Sequence, residues 1–100
     1  MTGGHHDLCF GCGQANLFGL QLERGRFFVK QDHQGAEGEA HPGIVVTALL
    51  EAMSQAGGDP RKVRVELTGA APVGEFVDIE ATAKRATASC DGEVIAECRA

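Results

Sequence analysis

The chain has 100 residues, room for one hydrophobic core and not for two. Hydrophobic residues make up 43% and charged residues 23%, which excludes an intrinsically disordered chain. Nine Lys and Arg against 14 Asp and Glu leave a formal charge of −5, the wrong sign for a protein that tracks nucleic acid or rests on an anionic membrane.

Residues 1–19 read as an irregular, Gly-rich lead-in without the basic-then-apolar order of a secretory signal, so a cytoplasmic protein is expected. From Gly19 the chain turns extended, with Leu20, Leu22, Phe27 and Val29 alternating against Gln21, Glu23 and Arg26. Arg24-Gly25 marks a bulge or bend in this long strand. Residues 32–42 are polar and turn-rich, a loop with one short strand at 36–40. Pro42 opens the one helix, expected over 43–56 and stopped by Gly57-Gly58 and Asp59-Pro60. Val46, Leu49 and Met53 fall on its packing face; Thr47, Glu51, Ser54 and Gln55 form a polar stripe on the other. Its apolar run, Ile44 to Leu50, is far shorter than the roughly 20 residues that cross a bilayer.

The rest reads as strand. Val63, Val65 and Leu67 alternate with Arg64 and Glu66; Pro72-Val73-Gly74 is a turn. Val77, Ile79, Ala81 and Ala83 mark one face of the next strand. Asp91-Gly92 is a hairpin signal, after which Val94, Ala96 and Cys98 alternate. A long strand, a helix and three or four antiparallel strands give an α+β domain spanning 1–100, in which helix and sheet bury each other. With only five aromatic residues, all Phe, the core must be built from Val, Ile, Leu and Ala. So small a core is marginal alone, and self-association is the expected remedy.

Cys9, Cys12, Cys90 and Cys98 raise the question of metal. Cys9-x-x-Cys12 has the spacing of half a structural zinc site, and His5 and His6 stand just before it. A second close-spaced pair is missing, because Cys90 and Cys98 are eight apart on strand. A reduced structural pair is therefore favoured over zinc, and over a redox pair, whose flanking strand and helix are absent. No metal and no cofactor are expected.

Two stretches carry a resemblance. CFGCGQANLFGLQLE, Cys9 to Glu23, resembles the C-F-x-C-G-x-x-N-x-x-G-L opening of many hotdog-fold thioesterase-like proteins. HPGIVVTALLEAM, His41 to Met53, is similar to their H-G-G-x-x-x-x-x-L-D-E-A-M helix start. A weaker likeness runs through the strand, Pro-Val-Gly turn and strand of VRVELTGAAPVGEFVDIEATAKR. The resemblance is to the hotdog superfamily in its phenylacetate-degradation-type acyl-CoA thioesterase branch. It implies one long helix wrapped by an antiparallel sheet, with two chains joining their sheets in a homodimer, or a dimer of dimers (a homotetramer), and sites at the interface. It implies an acyl-CoA substrate with a small or medium acyl group.

The helix start supports such chemistry physically. Its N–H groups favour a developing oxyanion, and Gly43 leaves them open to a thioester carbonyl. Glu51, about two turns on, is the candidate base or nucleophile, and His41 holds the loop or donates to the carbonyl. Asn16, Thr47, Ser54 and Gln55 are candidate substrate-binding residues. The family's acid falls nine residues after the motif's first His, which is Leu50 here, with Glu51 one later; the motif's middle Gly is Pro42. The alternative is a non-catalytic hotdog protein that binds acyl-CoA or serves as a structural dimer.

Overall fold

The computed structural model describes residues 11, 13–14, 19–59 and 62–100. In chain order they form strand β1 (Arg26–Phe28), a 3-10 turn (Gln31–His33), helix α1 (Pro42–Gln55), and strands β2 (Arg64–Leu67), β3 (Phe76–Thr82), β4 (Arg85–Cys90) and β5 (Glu93–Arg99). The strands make one five-stranded sheet in the order β1-β3-β4-β5-β2, every neighbouring pair antiparallel. The helix lies across β3, β4 and β5 and makes little contact with either edge strand, β1 or β2.

The sheet's inner face follows the period of two. Phe27 pairs with Val77, Ile79 with Ala88, Ala86 with Cys98, and each of these is buried. The helix presents Val45, Ala48, Leu49, Ala52 and Met53 to that face. Val46, expected to pack, is only half-buried, and Val45 takes its place. Ala48 and Ala52 explain the shift. They lie on the Val45 side of Leu49, so the centre of contact turns that way by tens of degrees at about 100° per residue.

The long first strand is a correction. Arg24 (φ 53°) and Gly25 (φ 73°) make a two-residue turn closed by reciprocal Glu23–Arg26 backbone bonds of 3.0 Å each. Leu20 and Leu22 still reach the core, but only Arg26–Phe28 pair as strand. Gly25 is required there: a Cβ would lie 2.5 Å from the Ile79 carbonyl oxygen. The short strand expected at 36–40 is replaced by isolated bridges, Gln34 with Ala40 and Glu39 with Pro72.

The last strand departs from simple alternation. Ala88 pairs with Ala96 but Ser89 pairs with Val94, so β5 carries one extra residue, Ile95. That bulge turns Val94 out to 44% exposure and brings Ile95 in to 4%. The Ile95 carbonyl accepts from the N–H groups of both Thr68 and Gly69, which ties the end of β2 to the bulge. Asp91 (φ 52°) and Gly92 (φ 80°) form the expected tight hairpin.

Candidate active site

The helix start is held by its own loop. His41 is the N-cap, and its Nδ1 accepts the Gly43 N–H at 2.9 Å. The Ile44 N–H donates to the His41 carbonyl at 2.8 Å, and Pro42 has no N–H to offer. The loop behind is fixed by His33, which is buried: its Nδ1 accepts the Lys30 N–H and its carbonyl accepts the His41 N–H. The far end closes with Gly57 N–H to the Ser54 carbonyl and Gly58 N–H to the Met53 carbonyl, a paired cap that ends the helix where the glycines foretell.

Thr47, Glu51, Ser54 and Gln55 share one stripe, as expected. Thr47 Oγ1 donates to the Gly43 carbonyl at 2.7 Å, and Gln55 Nε2 reaches Glu51 Oε2 at 3.5 Å. Glu51 stands about 200° around the helix from Leu49, on the side away from the sheet. Even so it is only 9% exposed. What covers it is the backbone ahead of β1: a Cβ built on Gly11 would lie 2.5 Å from Glu51 Oε1, 2.8 Å from its Cγ and 3.0 Å from its Cδ. The Gly11 carbonyl is itself anchored by the Leu22 N–H at 2.9 Å. The carboxylate thus faces neither the Gly43 amide nor open water.

Gly43 and Glu51 are eight residues apart, roughly 12 Å along the helix at 1.5 Å per residue. Asn16 lies outside the described residues, as do Cys9, Cys12, His5, His6, Phe10 and Phe18. His33 and Gly11 were not singled out from sequence: Gly11 meets Glu51 only in the folded chain, and His33 acts locally, on Lys30 three residues before it.

Among the described residues no group of three or more His, Cys, Asp or Glu could hold a metal. Cys90 and Cys98 are free, buried thiols, and burial pushes both up from the usual thiol range. No helix among these residues is long and apolar enough to cross a membrane. A groove of about 930 Å³ runs along the β2–β5 edge, lined by Lys62, Arg64, Glu66, Glu97 and Arg99, away from Glu51.

Among the described residues, a single helix packed against one antiparallel sheet is the hotdog fold, and solved hotdog structures of the thioesterase superfamily match it. A mutant of the phenylacetic acid degradation protein PaaI from Thermus thermophilus matches with a TM-score of 0.63 at 17% identity, over 73% of this chain and 76% of that one. The E. coli PaaI protein matches with a TM-score of 0.63 at 10% identity, over 74% and 69%. Thioesterase superfamily member 2 of Mus musculus gives 0.60 at 18% identity, over 74% and 68%. At these identities the likeness is one of fold. No protein-family model and no curated protein matches the sequence.

Proposed function

We propose that this chain hydrolyses acyl-CoA thioesters as a homodimer, with Glu51 as the base. The observation that carries the reading is a carboxylate withdrawn from water on the helix of a thioesterase-type fold, beside Thr47, Ser54 and Gln55 on the same stripe. In the reaction, Glu51 takes a proton from water while the water oxygen adds to the thioester carbonyl. The oxyanion collapses, the C–S bond breaks, and the proton passes to the leaving thiolate. The Gly43 N–H is the oxyanion donor once the exposed His41 ring swings off it.

In the dimer, Gly43 of one chain works with Glu51 of the other. β2 is the surface that would join them. Among the described residues its outer edge has no strand partner, and Leu67 within it and Val63 just before it stand 47% and 37% exposed. An antiparallel pairing centred on Val65 sets Arg64 opposite the partner's Glu66, and does so twice by symmetry.

Thiol release from a panel of acyl-CoA esters, measured for wild type and Glu51→Gln, tests the reading. Turnover should fall by at least about 100-fold in the variant. Equal rates would remove Glu51 from the mechanism. The second reading, a non-catalytic acyl-CoA binder or structural dimer, is favoured by the engaged Gly43 N–H and by the backbone lying over Glu51. Binding without turnover by wild type would decide for it.

A further inference from the structure

The space around Glu51 is set by a residue with no side chain. We infer that Gly11 is a positioning residue for the Glu51 carboxylate, the seat against which that group rests; the inference depends on the hydrolase reading above. All three nearest atoms that a Cβ at position 11 would meet, at 2.5 to 3.0 Å, belong to the Glu51 side chain: Oε1, Cγ and Cδ. At Gly25 and Gly58 the added carbon would instead meet backbone carbonyls, which cannot step aside. A methyl at Gly11 therefore leaves the fold a cheap escape, and that escape is rotation of Glu51. Helical side chains have few permitted rotamers, so rotation moves the carboxylate by a whole well rather than by a fraction of one.

The seat is itself fixed. The Gly11 carbonyl accepts the Leu22 N–H, and Leu22 is buried in the core at 3% exposure. From the other side Gln55 Nε2 approaches Oε2 at 3.5 Å, so the carboxylate stands between a helical neighbour and Gly11. A base held in this way keeps one geometry, and displacement by about 1 Å can cost a reaction 100-fold.

The test combines Gly11→Ala with changes at Glu51. Gly11→Ala should lower kcat at least 10-fold while KM stays within about 3-fold, because substrate contacts are untouched and only the base has moved. A glycine that mattered only for stability would leave kcat per folded molecule where it was. Should Gly11→Ala fold poorly, Glu51→Ala in the same chain should return its melting temperature to that of Glu51→Ala alone, since the clash is with that side chain. An active wild type whose kcat is unmoved by Gly11→Ala overturns the inference and leaves the hydrolase reading standing. So does a melting temperature that Glu51→Ala fails to restore. A wild type with no turnover on any ester removes both, and the thermal coupling then reports packing alone.

Discussion

Glu51 lies on the far side of the helix from the sheet, yet its exposure is close to that of core residues such as Ile79, at 9% against 7%. The stripe it belongs to was legible in the sequence, because helical period is local and Thr47, Glu51, Ser54 and Gln55 sit within nine residues of one another. Its cover was not, because Gly11 is 51 − 11 = 40 positions away and has no side chain to signal a contact. His33 is illegible for another reason: its partners Lys30 and His41 are near in sequence, but a histidine in a polar loop carries no pattern that marks it as buried. Replacing His33 with Leu leaves the Lys30 N–H without its acceptor, and should cost about 1–3 kcal/mol in urea denaturation. A loss under about 0.5 kcal/mol would mean that another acceptor takes over. The buried thiols allow a second check. Iodoacetamide at pH 8 should leave Cys90 and Cys98 unmodified in the native protein and label both in urea, read by peptide mass. Their raised values also give stability a sign. Above the thiol's ordinary range the unfolded chain loses protons that the folded chain keeps, so stability declines as pH rises there.

At the level of elements, the features with local signals are found where the sequence sets them. Pro42 and Gly57-Gly58 bound the helix to within a residue, and Asp91-Gly92 turns the last hairpin. The first strand is shorter than alternation alone implies, since Arg24-Gly25 reverses the chain instead of kinking it. The bulge in β5 is the informative failure. Val94, Ala96 and Cys98 alternate perfectly in the sequence, but register is set by β4 across the ladder, and one extra residue inverts the parity. Lysine substitution reads this out directly. Val94→Lys should change stability by less than about 0.5 kcal/mol, as exposed positions do. Ile95→Lys should cost at least about 3 kcal/mol by burying a charge, enough to lose cooperative unfolding in a domain of this size. The reverse order would place Val94 inward and abolish the bulge.

Among the described residues, β2 is an edge strand that the helix does not cover. If β2 joins two chains as proposed, Glu66→Arg sets two pairs of like charges across the symmetry axis and should weaken the dimer at least tenfold in sedimentation equilibrium. Adding Arg64→Glu restores opposite charges in both pairs and should recover association. A dimer indifferent to both changes would use another surface. The spacing of helix and sheet has a consequence of a different kind. Ala48 and Ala52 on the helix meet an inner face that includes Ala86, Ala88 and Ala96, all of them buried. Methyl-to-methyl seating brings the two layers close and leaves nothing that can shrink, so each added carbon must lift the helix, at about 1–3 kcal/mol for a modest overpacking. Lifting the helix carries Gly43, Glu51 and the stripe between them away from whatever they meet. In a saturation mutagenesis screen, these five alanines should therefore admit fewer replacements than the larger core residues, with glycine and serine the least harmful. Ordinary drift in bulk would be filtered most severely where the side chains are smallest.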